Sequence, residues 1–321
     1  MRTRLLGSLI AVAGLVAACG GGGDGSGRVE SAETTTTLAP STPPYQVAMS
    51  EETFADSSRP TPAVEGTGVP AADERTLVTH LYWPEDAEGP QPLIAFAHGA
   101  AGHPRKFTEL FTAWATAGYV VAAPAFPLSN DEVPGEPGLT DVDQQPDDMR
   151  FVVDEVLRLN EEEGSVLEGR VDSERIGAAG LSLGGITIYN WIFSDQDDRV
   201  DAAALFDTVR SGIDGATIDL SPDLPKLFIH ADEDFALPYA DTVEAYAEAA
   251  PPKWFVTLHE AAHASPFEDD PDPADTAVTA VSIAFWDLYL REDTTAADRI
   301  EDAVAADPAI TSLEFEPEPP G

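Results

Sequence analysis

Arg175-Ile176-Gly177-Ala178-Ala179-Gly180-Leu181-Ser182-Leu183-Gly184-Gly185 runs from a short β-compatible segment through Gly-x-Ser-x-Gly into a helix-compatible segment, Ile186 to Phe193. The spacing has a physical cause. A strand that turns sharply into a helix leaves no room for side chains two residues before and two residues after the turn, so glycines stand at 180 and 184. The residue at the apex is forced into a strained backbone conformation and its side chain is thrust outward. Ser182 therefore presents its hydroxyl beside a helix N-terminus, whose dipole favours developing negative charge, and the Leu183 N–H is aimed at an oxyanion formed there.

Outward from this turn, short apolar runs alternate with helical patterns. Strands are expected over Thr76–Trp83, Pro92–Ala97, Tyr119–Ala123, Arg175–Ala179, Ala202–Phe206, Lys226–His230 and Lys253–Leu258. Most are continuous apolar runs, as suits strands covered on both faces. Helices are expected over Phe107–Ala117, Pro146–Asn160, Pro238–Ala249 and Asp275–Leu290; in the second, Met149, Val152, Val153, Val156 and Leu157 recur at helical spacing. Strand–helix alternation implies an α/β domain with a mostly parallel central sheet flanked by helices. No internal repeat is present.

With the elbow at Ser182 in this setting, the chain resembles the α/β-hydrolase superfamily over roughly Thr76 to Leu290. Within it, the chain is similar to esterases related to dienelactone hydrolases and bacterial cutinase-like polyester hydrolases. The resemblance implies the order Ser, acid, His. It places the acid four residues before a proline in Ala231-Asp232-Glu233-Asp234-Phe235-Ala236-Leu237-Pro238, which selects Asp234 over its neighbour Asp232. Asp207, at the end of an earlier strand, is an alternative, since some relatives take the acid from there; otherwise it is a strand-end or pocket-rim carboxylate.

The histidine must follow the last strand, where His259 and His263 both qualify. His259 belongs to the strand end, whereas His263 lies in the next loop among small residues and is the one expected to reach Ser182. His98-Gly99-Ala100-Ala101-Gly102 resembles the family's oxyanion loop, with Gly99, Ala100 and Ala101 as candidate donors and Ala100 chosen. His98 is expected to organise this loop, His103 to lie at the rim, and His80 and His230 to be structural. Phe126 and Trp191 are candidates to line an acyl pocket, although large aromatics in such positions usually belong to the core. The Pro- and Asp-rich segment between Pro124 and Met149 can cap the site; its acids match no trusted calcium spacing. No cofactor and no metal are expected.

At the N-terminus, Arg2 and Arg4 precede an apolar run that ends in Val16-Ala17-Ala18-Cys19. The pattern looks like a bacterial lipoprotein signal, with Cys19 as the lipidated residue. The expected organisation is a signal peptide over 1–18, a disordered tether over 19–62, a catalytic domain over 63–306 and a disordered acidic tail over 307–321. Cys19 is the one cysteine, so no intramolecular disulfide forms. The formal net charge of -41 excludes nucleic acid as a partner and disfavours highly anionic substrates.

The expected function is hydrolysis of small or polymeric carboxylic esters on the extracytoplasmic face of a membrane, to which a lipid anchor holds the protein. A lipase, a platelet-activating-factor-acetylhydrolase-like phospholipase or an acyltransferase would use the same machinery, because fold does not fix substrate. A non-catalytic binding lipoprotein is the reading from outside enzymology.

Overall fold

The computed structural model describes residues 44–317. The expected signal peptide, Cys19 and the first part of the tether lie outside the described residues. Among the described residues nine strands form one sheet: β1 (Val47–Asp56), β2 (Arg75–Pro84), β3 (Gln91–Ala97), β4 (Val120–Ala125), β5 (Val171–Leu181), β6 (Val200–Phe206), β7 (Lys226–Ala231), β8 (Lys253–Leu258) and β9 (Thr311–Glu316). Their order across the sheet is β1-β2-β4-β3-β5-β6-β7-β8-β9. The pairs from β4 through β8 are parallel, and β1, β2 and β9 join antiparallel at the edges.

Among the described residues six α-helices cover the sheet: α1 (Thr108–Thr116), α2 (Gln145–Glu161), α3 (Leu183–Phe193), α4 (Tyr239–Glu248), α5 (Asp275–Leu290) and α6 (Ala296–Ala305). Strand periodicity divides the apolar side chains between two cores. Leu93, Ala95 and Ala97 of β3 pack with Met149, Val152 and Val153 of α2, while Ile94 and Phe96 pack with Phe111 of α1 and Trp286 of α5. This is the reason the central strands read as continuous apolar runs: each residue is inside, on one face or the other.

All seven expected strands are present, and three further elements are not anticipated by the sequence reading. The tether does not extend to residue 62. Instead β1 pairs along its whole length with β2, from Val47 opposite Pro84 to Asp56 opposite Arg75, and Phe54 is buried. The tail is likewise not disordered from 307. β9 pairs with β8, and Phe315 stacks on Trp254 with ring centroids 4.8 Å apart. Alternate residues Glu314 and Glu316 suit an edge strand, where charge discourages further pairing. The domain thus begins before 63 and ends after 306, and α6 lies between α5 and β9.

The Pro- and Asp-rich segment after β4 is held by a buried ion cluster. Arg75 is fully buried; its Nε and Nη2 donate to the two carboxylate oxygens of Asp148 (2.6 and 2.5 Å), and Nη2 also donates to Asp141 (2.9 Å). The other oxygen of Asp141 accepts from the Leu128 N–H and the Ser129 hydroxyl, and the Ser129 carbonyl accepts the Ala101 N–H. The cluster therefore ties the loop after β3 to the body of the sheet.

Candidate active site

The C-terminal ends of the parallel strands converge on one edge of the sheet, where crevices form in such folds. Ser182 stands at the tip of β5 with φ 56° and ψ −120°, and α3 begins at the next residue. The glycine spacing has the expected cause. A Cβ on Gly180 would run into the Gly184 carbonyl, and a Cβ on Gly184 would run into the Ala97 carbonyl at the end of β3. The turn is closed by the Ser182 N–H donating to the Phe206 carbonyl (2.9 Å), while the Ser182 carbonyl accepts from the Ile186 N–H and the Thr208 hydroxyl (2.8 Å).

His263 lies in the loop after β8, with Glu260 and Ala264 on either side of it at positive φ. Its Nε2 is 2.9 Å from Ser182 Oγ and its Nδ1 is 2.7 Å from Asp234 Oδ2. An ionised carboxylate only accepts, so the ring proton sits on Nδ1 and the bare Nε2 accepts the serine O–H. Asp234 follows β7, and its second oxygen accepts the Ala236 and Leu237 N–H groups (2.7 and 2.9 Å). Such a chain can lift a proton from a hydroxyl and return it to a leaving group.

The two alternatives for the acid are placed elsewhere. Asp232 bonds His259 Nδ1 (2.8 Å) and the Glu260 N–H, which caps the end of β8. Asp207, fully buried at the end of β6, is 3.9 Å from His263 Nδ1, beyond hydrogen-bond reach. Its oxygens accept the N–H groups of Ala231 (2.8 Å) and Ala264 (3.0 Å), so it holds the strand end and the histidine loop. Burial pushes Asp207 up to about 7 despite those donors.

Gly99 lies against Ser182, where a Cβ would come within 3.1 Å of the serine Cβ. The Ala101 N–H is committed to the Ser129 carbonyl, which withdraws it from the three candidate donors. Among the described residues no protein group accepts the Ala100 N–H, and Leu183, as the first residue of α3, has no intrahelical acceptor for its own. His98 is buried, accepts the Phe126 N–H at Nε2 (3.0 Å), and hence donates from Nδ1 to the Gly99 carbonyl (2.7 Å). Burial lowers it to about 4, so it stays neutral while it shapes this loop. His103 is not a rim residue: it is buried and its ring accepts the Arg105 N–H at the start of the turn 104–107. Phe126 and Trp191 are fully buried.

Asp207, His230 and Asp234 offer ligand atoms within 4.8 Å of one another. The carboxylate oxygens already accept N–H groups, so a cation there would have to displace protein hydrogen bonds. Of the acids in the segment after β4, Asp131 and Glu132 pair with Arg105, and Asp141 pairs with Arg75. Two neighbours of the site carry no sequence motif: Phe235, whose exposed ring stands edge-on to His263 at 6.2 Å, and His230, four residues before Asp234 and fully buried.

A family model described as the dienelactone hydrolase family matches residues 77–289, which span β2 through α5 and every side chain of this site. No curated protein matches the chain.

The raised Asp207 gives a pH test. In the folded chain it titrates at about 7, against 3.8 for an ordinary aspartate. The native state therefore binds more proton between those values, so this group's contribution to stability falls as pH rises through that window and is level above it. Asp207→Asn, which keeps a residue tolerant of φ 38°, should remove that slope, by up to about 1.4 kcal/mol per pH unit. Urea unfolding of both proteins from pH 4 to 8 measures it; identical pH slopes would refute the assignment.

Proposed function

The chain belongs to the dienelactone hydrolase family and is a hydrolase of the α/β-hydrolase kind, and on that premise we propose that it cleaves carboxylic esters through an acyl-enzyme. The observation that carries this reading is the pair of hydrogen bonds on His263, 2.9 Å to Ser182 Oγ and 2.7 Å to Asp234. Ser182 Oγ attacks the acyl carbonyl as its proton passes to His263 Nε2, while Asp234 stabilises the imidazolium. The tetrahedral oxyanion lies between the N–H groups of Leu183 and Ala100. Its collapse breaks the ester C–O bond, and His263 gives its proton to the departing alcohol. Water, deprotonated by His263, then attacks the acyl-serine and releases the acid.

The substrate class follows from charge and surface. A chain of net charge -41 repels anionic esters, so the substrate is neutral. Phe235 is 83 % exposed beside His263, which offers an apolar face to one side of the ester. We further propose that residues 1–18 direct export and that Cys19 carries the lipid anchor, with the catalytic domain on the extracytoplasmic face.

Ser182→Ala should lower kcat/KM on short-chain p-nitrophenyl esters by roughly 10⁴-fold or more and abolish labelling by a fluorophosphonate. A wild-type protein that neither turns over these esters nor takes the label rules out the proposal. Phe235→Ala should raise KM about tenfold for esters with a large apolar group and leave acetate esters unaffected, on the area such a ring covers; an equal change for both would remove Phe235 from substrate binding. Cys19→Ala should move the protein from the membrane fraction to the soluble fraction of expressing bacteria, and unchanged partition would dismiss the anchor.

A further inference from the structure

The carboxylate of Asp234 has a partner outside the three-residue chain. His230, on β7, is fully buried with its Nε2 3.2 Å from Asp234 Oδ2, the same oxygen that faces His263. Resting on the assignment of Ser182, His263 and Asp234 above, we propose that His230 is a positioning residue for the reaction, its Nε2–H holding Asp234 in line with His263.

The proton count supports it. His230 Nε2 faces two groups that only accept, Asp234 Oδ2 and the Leu237 carbonyl at 3.3 Å, so Nε2 must carry the hydrogen. The other nitrogen, Nδ1, is 2.7 Å from the Thr242 hydroxyl, and that hydroxyl is 2.7 Å from the Thr208 carbonyl. Thr242 has one hydrogen for these two acceptors. In the neutral ring it turns to Nδ1; in the protonated ring Nδ1–H donates to Thr242, whose hydrogen turns to Thr208. The Nε2–H faces Asp234 in both states. Burial holds His230 below the ordinary imidazole range, against the upward pull of Asp234, which favours the neutral ring.

With the ring protonated, hydrogen bonds close a loop; in the neutral ring the Thr242 hydrogen leaves Thr208 for Nδ1 and the loop is open at that link. From Asp234 the contacts pass through His230 and Thr242 to Thr208, whose own hydroxyl donates to the Ser182 carbonyl at 2.8 Å. His230, Thr242 and Thr208 are all buried. In that protonated state the acid and the nucleophile are joined behind the site as well as across its face through His263. The remaining groups around His230 are the Tyr239 ring, edge-on at 5.8 Å, Asp207 in the same cluster, and the His263 ring.

Two N–H groups donate to one oxygen of Asp234, and two imidazoles face the other, His263 Nδ1 at 2.7 Å and His230 Nε2 at 3.2 Å. Removing the His230 donor leaves more negative charge facing His263 Nδ1–H. That stabilises the imidazolium, so His263 gives up its proton at higher pH. It also frees the carboxylate to turn.

The expected result for His230→Leu is a kcat on p-nitrophenyl acetate lowered by about 10- to 100-fold with KM unchanged, and an acid limb of kcat/KM moved to higher pH. His230→Gln, which restores an N–H near the Nε2 position, should recover most of the loss. A folded His230→Leu protein with wild-type kcat and an unmoved acid limb overturns the proposal. A measurement on the wild type needs no altered chain: ¹⁵N shifts of His230 must show a protonated Nε2, and a ring protonated on Nδ1 alone overturns it. Failure of the underlying assignment looks different, because the wild-type protein would then neither react with a fluorophosphonate nor cleave the ester.

Discussion

One proton on one ring nitrogen orders the site. Ser182 can pass its hydrogen to His263 only if Nε2 is bare, and Nε2 is bare because Asp234, 2.7 Å away, keeps the proton on Nδ1. That requirement fixes where three strands end. β5 must stop at the serine, β7 must turn at the aspartate, and β8 must release its loop so that the imidazole falls between them. Parallel pairing makes this possible, since neighbouring strands deliver their C-terminal ends to the same edge. The backbone is strained at the end of β5 and at the end of its neighbour β6, with positive φ at Ser182 and Asp207. Each such residue costs of order 1–3 kcal/mol and persists because the surrounding sheet leaves it no alternative.

The sequence made the elbow legible because its glycines answer to backbone collisions that any protein with this turn must avoid. Gly184 would meet the Ala97 carbonyl, an atom more than eighty residues earlier, so the local pattern encodes a tertiary approach. His263 was separable from His259 on similar grounds, since one sits at a strand end and the other in the loop beyond it. Asp234 and Asp207 were not separable by pattern alone, because both follow a strand. The resemblance selects Asp234, whose Oδ2 lies 2.7 Å from His263 Nδ1, against 3.9 Å for Asp207.

The edges were illegible for a different reason. An edge strand needs one covered face and one neighbour, so its composition drifts toward that of a linker. β1 carries Glu51, Glu52 and Asp56 within a Thr- and Pro-rich region, and β9 carries Glu314 and Glu316 in an acidic tail. In β9 the alternation of Leu313 and Phe315 with acids was a strand signal that the overall charge obscured. His230 lies inside an apolar strand, where a histidine is most simply structural. Its position beside Asp234 depends on how the chain turns back after Ala231, which no spacing rule describes.

The two carboxylates near His263 show how so acidic a chain keeps one well-defined charge at its site. Asp207 and Asp234 belong to one cluster, and two buried anions there would compete for the same histidine. Their surroundings separate them. Asp234 collects donors on both oxygens, two of them imidazoles, whereas Asp207 has two backbone N–H groups and deep burial, which raises it to about 7. Near neutral pH, Asp207 is therefore partly protonated and carries less than a full charge while it holds the Ala231 and Ala264 backbones. Burial, against the pull of its two backbone donors, decides how far Asp207 gives up its charge, and the distances to Nδ1, 2.7 Å against 3.9 Å, decide which carboxylate holds the imidazole.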